Sequence, residues 1–418
     1  MDMRAEAIRL YQAAVAAADP ARALRRTFRA SPPAAPLPGG AWIVIAVGKA
    51  AVPMAEEALR HLKGAPVRAL VVTNYENARP VTGAQVMASG HPVPDENGAK
   101  AGATVAALLE GASAADRVVA LISGGGSALL PAPAPGLGLA DKVAVNRLLL
   151  AHGYEITEIN LIRQQLSRLK GGGMLRLAAP APVDAFILSD VIGDDLRAIA
   201  SGPTVAPLGT RADARRLLQD GGVWAALPAG VRAHLEAPEA DALPLPQSRN
   251  LLIGSNRKSL EAIREARADG GEIISDRLTG DVGDAAAEVI AAARRARPGA
   301  ACLIFGGETT VILKGEGRGG RNQELALRVA LAMPDLGRDW VFLSGGTDGR
   351  DGPTEAAGGV VDAGTRRRIV AAGGDAAALL AQNDSNRALA LAGDLLITGA
   401  TGTNVADVQI LLLGPKAQ

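Results

Sequence analysis

Six short apolar runs in this chain stop abruptly at residues able to do chemistry. AWIVIAV ends at Gly48-Lys49, VVALI at Ser123 to Ser127, FILS at Asp190, LLIGS at Asn256, CLIFGG at Glu308 and VFLSGGT at Asp348. Where a strand gives way to a helix, unpaired backbone N–H groups and the helix dipole attract anions, so Lys49 could add a compact charge to a bound phosphate or carboxylate. A solvated lysine at a helix start fits the same residues equally well. The spacing is not that of a Walker A loop, because Ala50 stands where a hydroxyl residue is required. In Ser123-Gly124-Gly125-Gly126-Ser127, three successive glycines let the backbone approach a ligand closely. Asp190, followed by Asp194 and Asp195, and Asp348 with Asp351 make two acidic clusters whose hard oxygens suit Mg²⁺. For Asp195 and Asp351, an Asp-Gly turn or a helix cap is the better explanation.

Gly315, Gly317 and Gly320 have the G-x-G-x-x-G spacing of a dinucleotide-binding turn, but the acid expected to hold the ribose is missing. The first acid after the next strand, Asp348, lies beyond a Gly-Gly turn. Arg318 and Arg321 beside these glycines suit polyphosphate or carboxylate, which a guanidinium grips bidentately. His91, in a loop before a proline, fits either packing or ligand contact; the other histidines lack zinc spacing, and no G-x-S-x-G elbow is present. Amides, a lysine, arginines and carboxylates without an evident nucleophile fit phosphoryl transfer, in which a protein mainly positions groups and offsets charge.

The elements that must carry these residues follow from the same runs. Their length is that of strands buried on both faces of a parallel sheet, and in such sheets ligands bind at the carboxyl ends. Strands are expected at 42–47, 67–73, 118–122, 184–189, 251–254, 301–305, 341–344 and 395–398, with helix-period segments between them, an α/β pattern. A chain of 418 residues exceeds the roughly 250 to 300 at which one core stops growing, so two domains are expected. The Pro-rich stretch 236–250 places the break, giving domains 1–245 and 246–418. Gly306-Gly307 reads as a hairpin turn that makes the second domain mixed, and residues 1–30 read as a capping helix pair. A net charge of +1, spread along the chain, argues against nucleic acid or an anionic membrane as partner, and no apolar run approaches the ~18 residues of a span. Cys302, the single cysteine, reads as a buried thiol, and the cytoplasm is the expected compartment.

The strings VGKAA, HPVPDENG, LISGGGSALLPAP, LSRLKGGGML, LSDVIGDDLRAIASGPT, GGETTV, GRGGRNQELAL, SGGTDGRDGPTEAAGG, NDSNRAL and TGTNVADV, in this order, resemble the glycerate 2-kinase family, the class II or MOFRL-type glycerate kinases. The resemblance spans about Val47 to Val408. It implies transfer of the ATP γ-phosphate to the 2-hydroxyl of D-glycerate with a divalent cation such as Mg²⁺. It also implies a Rossmann-like, doubly wound N-terminal domain, a smaller mixed α/β C-terminal domain, and an active site in the cleft between them. Carried over by motif, Lys49, Arg321 and Asp190 are the candidate catalytic residues, and Asp190 and Asp348 the candidate metal ligands. Ser123, Gly124, Gly125, Gly126, Ser127, Asn256, Gly306, Gly307, Glu308, Asn322 and Thr347 are candidate substrate- or nucleotide-binding residues. The chain departs from the family pattern at Ile192 and Ala400, where proline is expected, and at Gln164-Gln165, where Lys-His is common. A hydroxypyruvate reductase using NAD(P)H and a metabolite-binding protein without turnover are the competing readings.

Overall fold

The computed structural model describes residues 2–238, 245–267 and 270–415. The chain divides into two compact units, one of Ala23–Ser189 and Asp194–Ile253, the other of Met1–Arg22, Asp190–Gly193 and Gly254–Gln418. The expected division at 245/246 is therefore displaced. The last strand of the first sheet extends past it, and the chain's first helix belongs with the C-terminal residues.

In the first unit, six strands form one sheet: β1 (Trp42–Val47), β2 (Val67–Asn74), β3 (Gln85–Ser89), β4 (Arg117–Ile122), β5 (Val183–Leu188) and β6 (Ser248–Gly254). Their spatial order is β3-β2-β1-β4-β5-β6, with β1 to β5 parallel, which is the doubly wound order. Every residue of β1 and β5 is buried, as two covered faces require. The edge strand β3 escaped the sequence reading because only Ser89 of its five residues is fully buried and its apolar run is short. Helices Leu139–Ala151, Ile156–Gln165, Arg211–Asp220 and Ala229–Glu236 form a side layer with its own core, which includes Leu149, Ile162, Leu218 and Val231.

The second unit contains β7 (Glu272–Ser275), β8 (Gly280–Asp281), β9 (Ala301–Gly307), β10 (Thr309–Thr310), β11 (Trp340–Gly346), β12 (Gly358–Asp362), β13 (Leu395–Leu396) and β14 (Asp407–Leu413). Six of them make a mixed sheet in the order β13-β12-β11-β14-β9-β7. Only β7 and β9 pair in parallel there. The sheet is mixed as expected, though not through a hairpin at Gly306-Gly307. β9 finds its antiparallel partner in β14, while β10 pairs in parallel with β8. At Gly307 a side chain would collide with the backbone of Leu278, so the glycine serves close approach rather than a turn.

Side-chain alternation divides this sheet between two cores. Leu303, Phe305, Phe342 and Leu411 face one, with Val289 and Leu325 from covering helices. Cys302, Ile304, Leu343 and Ile410 face the other, which is covered by Leu10, Tyr11 and Ala14 of helix Met3–Ala17 and Leu260 of helix Asn256–Glu265. The expected capping pair is thus a core element followed by the helix Pro20–Ala30.

Candidate functional site

In the first sheet the chain winds from β1 toward β2 on one side and has β4 on the other, so the carboxyl ends of β1 and β4 form the topological switch point. Val47 stands opposite Ile122, and Gly48-Lys49 and Ser123 to Ser127 leave the sheet side by side. The amides expected to be free at this turn are spent within the protein. Gly48 N–H donates to Val72 O (3.1 Å), Lys49 N–H to Gly124 O (2.9 Å) and Ala50 N–H to Ser123 Oγ (3.1 Å). Ser123 is buried, and its hydroxyl also reaches Val47 O at 3.3 Å, so it braces the two loops. Ser127 Oγ is likewise engaged, 2.9 Å from Ser201 Oγ and accepting from Lys170 Nζ at 2.8 Å.

The Lys49 ammonium remains available. Among the described residues no hydrogen bond or ion pair engages it, although Glu76 and His91 feel its charge. Burial, then the charge of Lys49, holds His91 below the usual imidazole range, which keeps the ring neutral near pH 7. Gly125 adopts φ +84°, and a Cβ there would sit 3.2 Å from His91 Cδ2 and 3.3 Å from Lys49 Cγ. The glycine lets both side chains lie against the loop. Gly126 is similarly pressed against Ala200 Cβ.

In the second unit Arg321 opens helix Arg321–Ala332. Its Nε and Nη2 donate to the two carboxylate oxygens of Asp407 at 2.6 and 3.0 Å, and its Nη1 lies 3.0 Å from Glu308 Oε1. Asp407 is fully buried. Around it Asn256 Nδ2 donates to Val405 O (2.9 Å) and Asp407 O (2.8 Å), while Thr347 Oγ1 donates to Ala406 O (2.6 Å) and accepts from Val405 N–H (2.9 Å). Asn256 and Thr347, expected to touch substrate or nucleotide, are thus buried struts that fix the segment carrying Asp407. Asn322 is a third strut, its Oδ1 accepting from Ser344 Oγ at 2.6 Å. Gly306 leaves the space that Asn256 Oδ1 fills.

Glu308 keeps a half-exposed side chain. Burial raises its pKa, Arg321 opposes the rise, and the charges of Asp407, Asp190 and Asp348 add to it. Glu308, Asp190 and Asp348 therefore share one electrostatic environment holding more carboxylates than cations. An oxygen-only, net-negative donor set fits a hard divalent cation. Among the described residues no three Asp, Glu, His or Cys side chains come close enough to enclose an ion. The side chains present could therefore offer a hard divalent cation one or two carboxylates rather than a closed cage.

The glycine motif at 315–320 is explained by packing. Side chains at Gly315 and Gly317 would meet the Gln382 backbone at 2.5–2.6 Å, and one at Gly320 would collide with Asp351. Asp351, buried, accepts from the N–H groups of Asn322 (3.1 Å) and Gln323 (2.9 Å), so it occupies the helix start that a pyrophosphate would need. Asp195 is spent on Arg197, at 2.9–3.0 Å. Gln164 binds the carbonyls of Arg197 and Ser201 and the N–H of Leu208, and Gln165 binds Gly209 O, so this departure from the family pattern braces a loop.

Asp407 was missed together with the strand it opens, Asp407–Leu413, which was not among the expected strands. An acid at the mouth of a fully buried strand was the available signal. Lys142, Arg163 and Lys170 were missed because scattered cations, two on amphipathic helices and one in a loop, read as solvent-facing.

Two family models match the chain, the domain of unknown function DUF4147 over residues 6–236 and the MOFRL family over residues 301–407. The glycerate 2-kinase of Pyrococcus horikoshii is 38% identical over all of this chain and 98% of its own length. A protein of Agrobacterium vitis named "Putative hydroxypyruvate reductase" is 39% identical over 97% of this chain and 93% of its own. The crystal structure of glycerate kinase from Thermotoga maritima superposes with a TM-score of 0.90 at 37% identity, covering 98% of this chain and 99% of that one.

Proposed function

We propose, from the premise that this chain belongs to the DUF4147 and MOFRL glycerate kinase family, that it transfers the γ-phosphate of ATP to the 2-hydroxyl of D-glycerate, giving 2-phospho-D-glycerate and ADP. The full-length similarity to a glycerate 2-kinase carries the reading. Lys49, without a counter-ion among the described residues, and Arg321, held rigid by Asp407, offset charge on the transferring phosphoryl group. Groups fixed before the reaction need no reorganisation during it, which is the value of the bidentate Asp407 contact. Asp190 and Asp348 are the residues that would hold Mg²⁺, which supplies charge neutralisation on the phosphates when bound. Asp190 also serves to position the glycerate hydroxyl, and Glu308, held 3.0 Å from Arg321 Nη1, is a candidate substrate- or nucleotide-binding residue. The substrates are small molecules and the compartment is the cytoplasm; among the described residues no helix is long and apolar enough to cross a membrane.

The reductase name of one relative supports a second reading, but the packing role of Gly315, Gly317 and Gly320 removes the dinucleotide motif that favoured it. Phosphorus NMR of D-glycerate with ATP and Mg²⁺, beside an NADH and hydroxypyruvate control, separates the two. A 2-phosphoglycerate resonance is expected. A 3-phosphoglycerate resonance overturns the regiochemistry, and NADH consumption without a phosphorylated product overturns the kinase.

A further inference from the structure

A cavity of about 400 Å³ in the first unit is lined by the loop His91–Pro94, by Gly125 and Ser127, and by the helices Leu139–Ala151 and Ile156–Gln165. Four of its side chains are cationic, Lys142, Arg147, Arg163 and Lys170, and no acidic side chain lines it. Lys142, Arg163 and Lys170 are held by neutral partners. Lys142 Nζ donates to Leu166 O (3.1 Å), Arg163 Nε to Asn146 Oδ1 (3.1 Å), and Lys170 Nζ to both Ser127 O and Ser127 Oγ (2.8 Å). Among the described residues none of the three forms an ion pair. Burial lowers the pKa of all three, and their mutual repulsion lowers those of Lys142 and Lys170 further.

Three cations gathered without a counter-ion cost stability, and a bound polyanion would offset that cost. The shape adds a second requirement. The cavity is far larger than a three-carbon acid needs, and Val93 and Leu150 leave 63% and 60% of their surfaces exposed at it. Such apolar surface suits a ligand with a large body as well as charge. His91 and Gly125 line the same cavity and lie beside Lys49. We infer that this cavity binds the phosphate-donor nucleotide, its phosphates on Lys142, Arg163 and Lys170 and its apolar body against Val93 and Leu150. The inference rests on the kinase reading above and names the loop set that holds the donor.

Calorimetric titration of the full chain with MgADP, and separately with D-glycerate, tests it on Lys142→Met, Arg163→Gln and Leu150→Asp. Circular dichroism melts establish that each variant is folded; the exposed Leu150→Asp guards against loss of the buried ones. The Kd for MgADP is expected to rise tenfold or more in each folded variant, with the glycerate Kd within twofold of wild type. MgADP Kd values unchanged in the folded variants, or a weakening confined to glycerate, overturn the assignment. Product formation by the wild type, followed in parallel, reports on the kinase reading independently.

Discussion

At the scale of single residues, Lys49 and Arg321 differ in how they are held, and the difference is testable. Replacing either by alanine is expected to lower kcat about a hundredfold or more, the loss seen when one preorganised charge stabiliser is removed. A folded variant turning over within a few-fold of wild type removes that residue from the mechanism. Asp407 acts through Arg321, so Asp407→Asn should lower kcat by a similar factor. The double variant should then cost little more than Arg321→Ala alone, because residues that work as a unit are not additive. Independent, multiplying losses would show that Asp407 does something else. The strand ends that carry polar and charged residues were legible in the sequence because an apolar run followed by such a residue is a strong local signal. The sequence did not reveal which polar strand-end residues are struts. Ser123, Asn322, Thr347 and the amide nitrogen of Asn256 are engaged by partners tens to hundreds of residues away, which no local pattern records.

At the scale of elements, the helices Leu139–Ala151 and Ile156–Gln165 bring Lys142 toward Arg163, and burial with that repulsion lowers the Lys142 pKa to about 7. Lys170 from the following loop, Arg147 from the same helix and His234 from helix Ala229–Glu236 complete the charged and titratable surroundings. A lysine whose folded pKa lies below its unfolded value makes the unfolded chain bind more protons between the two. Its destabilising effect is full below about pH 7 and fades as pH rises toward the unfolded value. Lys142→Met is therefore expected to raise the melting temperature of the ligand-free protein at pH 6 to 7, by a margin that shrinks toward pH 10. Equal margins at both pH values would contradict the cause assigned here. The helix Met3–Ala17 offers a second test. Leu10 is fully buried against the second sheet, so Leu10→Ala should cost about 2–5 kcal/mol in urea unfolding. The sequence marked this segment as helical but not its place, since amphipathicity shows that a face is buried without naming the surface that covers it.

At the scale of the whole molecule, the expected pair of α/β domains is present, while the expected division by a single cut is not. The sequence reading placed the break where prolines interrupt periodicity, but β6 and the helix Met3–Ala17 answer to sheet pairing and core burial instead. Residues 254–418 expressed alone should therefore fail to fold, with one face of their sheet uncovered. The same segment preceded by residues 2–22 on a flexible linker should show the dispersed amide resonances of a packed domain. Dispersed resonances without those residues would show that the helix is dispensable.

The order of synthesis gives that helix a further significance. Leu10, Tyr11 and Ala14 are translated long before the strand β14 that they pack against. At the 5–20 residues per second typical of translation, that apolar face waits roughly 20 to 80 s for its partner. Over that interval the nascent chain carries a sticky face, a natural handle for a chaperone, and the second unit is completed only once β14 has been made.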